Sequence, residues 1–145
     1  MALVTDATGN DLTRILIGLA MEVHNEIGPG FKEEVYEKAL AFKIKKKSIE
    51  VERQYKVIVE YEGEQVASFD LDLFVAKQVV VEIKAIRQPL SNREVTQTIN
   101  YLKTTNSPVG LLFNFGRSRL EFRRVFPGRA TKLTQRPINN HDAKE

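Results

Sequence analysis

The sequence predicts an α+β domain in which helices cover a central sheet. Three observations lead to it: apolar residues recur at helical spacing before residue 48, the period changes to two from Ser48 to Ile86, and helical spacing returns once between Pro89 and Pro108.

In chain order, residues 1–9 lack periodicity and are expected to form a flexible N-terminus. Asn10 or Asp11 can cap a first helix, in which Leu12, Ile15, Leu16, Leu19, Val23 and Ile27 form one apolar stripe. His24, at the margin of that stripe, reads as a hydrogen-bonded packing residue. Gly28-Pro29-Gly30 ends the helix, because glycine takes left-handed backbone angles and proline cannot continue the ladder. A second helix follows over 31–47, with Val35, Ala39, Leu40, Phe42 and Ile44 toward the core. Its spacing brings Glu33, Tyr36 and Glu37 near one another. Residues 49–53, 54–61, 65–75 and 79–86 then read as strands of a meander, with Glu62-Gly63-Glu64 as a turn. Ser91 and Glu94 form a capping box that opens a third helix over 92–105, with Val95, Ile99 and Leu102 buried and Gln97 and Tyr101 on an adjoining face. Strands 109–115 and 120–126 close the domain as a hairpin around Gly116-Arg117-Ser118. Residues 10–128 are expected to form one domain, and 129–145 a basic, polar, disordered tail.

The hairpin of 68–86 carries the chemistry. Val79, Val81, Ile83 and Ala85 alternate with Val80, Glu82, Lys84 and Ile86, so the strand is apolar on both faces except for one carboxylate and one amine. A Glu-x-Lys pair alone usually lies on a solvated edge, but buried charges need partners. A turn centred on Lys77 sets Asp72 opposite Glu82 and Asp70 opposite Lys84. Such a patch suits Mg²⁺ or Mn²⁺, and a lysine beside it can orient an attacking water and balance phosphate charge. The helices containing Glu33 and Gln97 are expected to cover this face, so that Glu33, Asp72, Glu82, Lys84 and Gln97 converge on one pocket.

Composition sets bounds on function. The 145 residues include no cysteine, which removes disulfides and thiolate metal sites and favours a reducing, cytoplasmic setting. No apolar run approaches the roughly 20 residues of a membrane span, so no membrane partner is expected. The net charge of +3 is modest. Its distribution is not even: Lys43, Lys45, Lys46 and Lys47 cluster, and Arg117, Arg119, Arg123, Arg124, Arg129, Lys132 and Arg136 crowd the C-terminal part, a pattern suited to a polyanion.

Gly30-Phe-Lys-Glu33-Glu-Val-Tyr36, Asp72, Glu82-Ile-Lys84, Gln97-Thr-Ile-Asn-Tyr101 and Gly110-Leu-Leu-Phe-Asn-Phe-Gly116 stand in an order that resembles the GxxExxY family, a RecB-like branch of the PD-(D/E)XK nuclease superfamily. The resemblance runs from about Leu12 to Phe126, with Leu71 where the superfamily signature has proline. It implies a restriction-endonuclease-like core, a central mixed sheet flanked by three helices, and metal-dependent hydrolysis of nucleic acid, with DNA the expected polymer. By the same resemblance Asp72, Glu82 and the carbonyl of Ile83 hold Mg²⁺ or Mn²⁺, Glu33 joins through water, Lys84 positions the nucleophile, and Gln97 and Tyr101 fix the site or a phosphate. Asp70 is an alternative to Asp72 as ligand, with the motif spacing favouring Asp72. The alternative function is a non-catalytic module that keeps the fold and binds nucleic acid or a protein; homo-oligomers are compatible with either.

Overall fold

The computed structural model describes residues 10–137, so the expected flexible N-terminus of 1–9 and the last residues of the expected tail lie outside the described residues. The chain forms α1 (Asn10–Ile27), α2 (Glu33–Lys46), β1 (Val51–Tyr61), β2 (Glu64–Val75), β3 (Val79–Lys84), α3 (Asn92–Thr105), β4 (Val109–Asn114), β5 (Glu121–Val125) and β6 (Thr134–Gln135). The strands make one mixed sheet in the order β5-β4-β3-β2-β1-β6. Among the described residues only β3 and β4 run parallel, and a parallel pair needs a crossover, which α3 supplies. The protein is thus α+β, with three helices on a six-stranded sheet.

The apolar alternation of β3 puts it at the centre, with a core on each face. Val79, Val81 and Ile83 pack with Leu16 and Val23 of α1 and Tyr36, Leu40 and Ile44 of α2. Val80 packs on the other face with Leu71 and Phe74 of β2 and Leu102 of α3. The two helices expected to cover one face therefore lie on opposite faces. The apolar face of α2 is also narrower than its sequence implies, since Val35 and Phe42 are 39% and 63% exposed. In α3 the capping box forms as its sequence requires, with the Ser91 N–H donating to the Glu94 carboxylate at 3.0 Å.

The chain departs from its sequence pattern in two further places. The expected tail does not begin at residue 129: Thr134–Gln135 pair with Glu60 and Val59 at the outer edge of β1, and Leu133 packs against the core that contains Leu102 and Val59. The signal is short because one partly buried leucine among polar residues has no periodicity. Deleting residues 129–145 is consequently expected to destabilise the domain by about 1 kcal/mol, a fraction of the value of fully burying a leucine because Leu133 is only partly buried. A melting temperature unchanged by the deletion would contradict this docking.

The second departure is a change of face. Ile49 and Val51 pack on the α1/α2 side, whereas Tyr55, Val57 and Val59 pack on the α3 side. On β2, Leu73 and Val75 lie on the α1/α2 side and Leu71 on the α3 side. All these positions are odd-numbered, so strict alternation would keep them on one face. Both strands cross over at the same level: Arg53↔Leu73 and Tyr55↔Leu71 flank the crossing, which leaves Gln54 opposite Asp72. Gln54 makes the change with a left-handed backbone, φ +52°.

Candidate active site

The β2–β3 hairpin turns through Ala76 and Lys77, both with positive φ, and pairs Val75↔Val79, Phe74↔Val80 and Leu73↔Val81. This register puts Asp72 level with Glu82. There the ladder stops and side chains take its place. The Asp72 N–H donates to Glu82 Oε2 at 2.9 Å, and the Ile83 N–H donates to Asp72 Oδ2 at 2.8 Å. The Ile83 carbonyl lies on the same edge of β3 as its N–H. Asp70 pairs with Lys56 of β1 on one side, and on the other the continued β2–β3 register sets it level with Lys84, as expected.

Both carboxyls are poor places for negative charge. Burial raises the pKa of Glu82 well above its usual value, and the neighbouring Asp72 carboxylate raises it further. Asp72 is also raised, by burial first and by Glu33 as well, against the opposing effects of the Ile83 N–H and the Lys84 ammonium. Lys84 acts on both acids from its place along β3, two residues beyond Glu82. Its backbone is fixed because the Phe115 N–H donates to the Lys84 carbonyl at 2.8 Å. Beyond it, the buried Asn114 accepts the N–H groups of Ile86 and Gly116, each at 3.0 Å, and donates to the Gln88 carbonyl at 3.0 Å. Gly116 is required at this junction, as a Cβ there would lie 2.4 Å from the Ile86 backbone.

From the α3 side comes Tyr101, half-buried and stacked on Phe69 with centroids 4.1 Å apart. Its hydroxyl pKa is raised by burial and then by Glu82, Asp72 and Asp70, so the hydroxyl lies within electrostatic reach of the carboxylates. Gln97 is exposed one turn earlier and makes no hydrogen bond to the acid pair among the described residues. Glu33 is exposed at the start of α2 and influences Asp72 through its charge. The structure therefore brings Asp72, Glu82 and Ile83 into direct bonding, holds Lys84, Tyr101 and Glu33 within electrostatic range of the pair, and leaves Gln97 outside the bonded network.

Glu37, Arg53 and Gln54 have roles that their sequence positions do not reveal. Glu37 is buried: its Oε2 accepts from Arg53 Nε at 3.1 Å and Nη2 at 2.9 Å, and its Oε1 accepts from Gln54 Nε2 at 2.6 Å. The available signal is the position of a carboxylate at helical spacing from Leu40, Ala41 and Ile44, inside the buried stripe. Tyr36 has a structural task. Its hydroxyl donates to the Gly28 carbonyl at 2.6 Å and accepts the Phe31 N–H at 3.1 Å, while its ring stacks on Phe115 at 4.7 Å. This clamps the turn that sets the start of α2, and hence Glu33. Tyr36→Phe should cost about 1–3 kcal/mol, since a backbone N–H and a carbonyl lose their partner; a loss below about 0.5 kcal/mol in urea titration would contradict the clamp. His24, as expected, is a buried packing residue, with Nε2 2.8 Å from the Arg117 carbonyl.

Among the described residues no three of His, Cys, Asp and Glu group closely enough to hold a metal ion. Two carboxylates remain, and they fit a hard divalent cation. Asp72 Oδ1 has only a long 3.5 Å approach from Gln54 Nε2, and Glu82 Oε1 has no hydrogen bond among the described residues. One oxygen of each acid is thus without a short hydrogen bond among the described residues. Mg²⁺ and Mn²⁺ take this kind of site, with one or two carboxylates and several waters, whereas structural zinc prefers a closed set of four nitrogen or sulfur ligands.

No helix among the described residues is long and apolar enough to cross a membrane. A family model described as the PD-(D/E)XK nuclease superfamily matches residues 10–125. No curated protein and no solved structure matches the chain significantly.

Proposed function

The chain belongs to the PD-(D/E)XK nuclease superfamily, and from that premise we propose that it is a divalent-metal-dependent nuclease that hydrolyses phosphodiester bonds, with DNA as its polymer. Within the superfamily we assign it to the RecB-like GxxExxY branch, on Gly30, Glu33 and Tyr36 together with Gln97 and Tyr101. The observation that carries the activity is the pair of half-buried Asp72 and buried Glu82, each accepting a backbone N–H from the other's strand, with Lys84 two residues beyond on a fixed backbone.

Asp72, Glu82 and the Ile83 carbonyl would hold Mg²⁺ or Mn²⁺, with Glu33 joining through water. When bound, the cation supplies Lewis-acid polarisation of the phosphoryl oxygen and charge for the transition state. The chain's own groups do the rest. The Lys84 ammonium orients the attacking water by hydrogen bonding and offsets the charge that grows on the phosphoryl oxygens. The Tyr101 hydroxyl, with its pKa raised and so protonated at neutral pH, is a donor for a phosphate oxygen. Gln97, exposed on the same helix, is free to donate to the substrate backbone. The complete acid, acid and lysine set supports catalysis over a non-catalytic binding module.

The test is incubation of purified protein with single-stranded, duplex and branched DNA in Mg²⁺ or Mn²⁺, beside Glu82→Ala prepared identically. Cleavage by the wild type and none by the variant supports the reading. Equal cleavage by both would mark a contaminant, and no cleavage with retained DNA binding would favour the binding module.

A further inference from the structure

We propose that Gln54, anchored on the buried Glu37, is a positioning residue that fixes the orientation of the Asp72 carboxylate in the acid pair; the inference rests on the metal-dependent reading above. Three observations converge on it. Asp72 is approached from both neighbouring strands: Oδ2 takes the Ile83 N–H of β3 at 2.8 Å, and Oδ1 faces Gln54 Nε2 of β1 at 3.5 Å. The same Nε2 donates to Glu37 Oε1 at 2.6 Å, so one amide group spans carboxylates from α2 and β2. Ionised carboxylates only accept, which fixes which end of the amide faces them. Glu37 is itself held by two bonds from the Arg53 guanidinium, whose charge balances it, and Arg53 is the residue next to Gln54.

The backbone supports the assignment. Gln54 has φ +52° in the middle of a strand, at the level where β1 and β2 change face, a left-handed conformation that is strained for a non-glycine residue. Glycine would remove that strain. What glycine lacks is the amide. A neutral donor between two carboxylates separates their charges and restricts rotation of Asp72 about its side-chain bonds. Partners of this kind, one bond removed from the cation, commonly set metal affinity.

Gln54→Gly separates the two roles, since glycine keeps the positive φ and deletes only the side chain. Calorimetric titration of Mn²⁺ into metal-free wild type and Gln54→Gly should show affinity falling by about 10–100-fold in the variant. Raising Mn²⁺ should restore most of the cleavage rate, as expected for lost metal affinity rather than lost chemistry. Should Gln54→Gly fail to fold, Gln54→Asn carries the same comparison, because asparagine tolerates the left-handed region and its shorter amide cannot span both acids. Wild-type Mn²⁺ affinity in a folded variant would overturn the proposal and reduce Gln54 to a backbone device. A wild type that binds no Mn²⁺ would instead sink the metal reading on which the proposal stands.

Discussion

Glu82→Gln is expected to stabilise the metal-free protein while abolishing metal binding and cleavage. Glutamine has the same shape, and its carbonyl oxygen can still accept the Asp72 N–H that Glu82 Oε2 accepts at 2.9 Å. It removes a charge that burial and Asp72 both disfavour. Below about pH 4.5, the ordinary glutamate value, the group is protonated in both folded and unfolded chains, and the two proteins should be equally stable. As pH rises, the unfolded wild type releases its proton first while the folded form retains it. Wild type therefore loses stability relative to the variant until the pH passes the raised folded value, after which the gap is constant. At neutral pH the gap should be on the order of 1–3 kcal/mol, the scale of a buried polar group without enough partners. Saturating Mn²⁺ should reverse the order, adding about 2.7 kcal/mol to wild type at 100 times its dissociation constant and nothing to the variant. Thermal melts at pH 4.5 and 8, with and without Mn²⁺, check all of this. A variant less stable than metal-free wild type at pH 8 would mean that the buried charge is better compensated than its partners suggest.

Lys84→Ala should separate binding from chemistry. The ammonium lowers the pKa of both acids, so its loss removes a favourable charge from the metal-free site, yet it also removes a positive charge beside the cation. Mn²⁺ affinity should accordingly stay within several-fold of wild type at pH 8. Cleavage should fall by about 10²–10⁴-fold, the usual contribution of a group that positions or transfers a proton. Single-turnover cleavage with Mn²⁺ saturating measures the loss. A rate within threefold of wild type would remove Lys84 from the mechanism and shift attention to Tyr101.

The acid pair is legible in the sequence because a hairpin has few degrees of freedom. Once the turn is centred on Lys77, the period of two sets Asp72 level with Glu82, and the observed register agrees. The apolar runs likewise reveal the helices and the central strand, since burial on both faces leaves a continuous signal. What the sequence conceals lies where the pattern is even but the backbone is not. The odd-numbered apolar residues of β1 and β2 give no sign of the change of face at Gln54 and Asp72, because reversing sides without shifting parity leaves the pattern unchanged. That crossing explains how Asp72 is influenced by Glu33 of α2 while Glu82 is sensed by Tyr101 of α3, although the two helices lie on opposite faces. Glu37 stands at helical spacing inside a buried stripe, but its role is concealed because the burial of its carboxylate depends on Arg53 and Gln54, 16 and 17 positions away. The docking of β6 is concealed for the converse reason: two strand residues and one leucine are too few to make a period.

Whether Asp72 and Glu82 share one cation decides between a metal-dependent nuclease and a module that only keeps the fold. Crystals of the wild type soaked in Mn²⁺ and measured at a wavelength where manganese scatters anomalously settle the point. A shared site requires one strong anomalous peak within about 2.0–2.2 Å of an oxygen of each carboxylate, lost in crystals of Asp72→Ala. A peak held by other residues, or one that persists without Asp72, would contradict it.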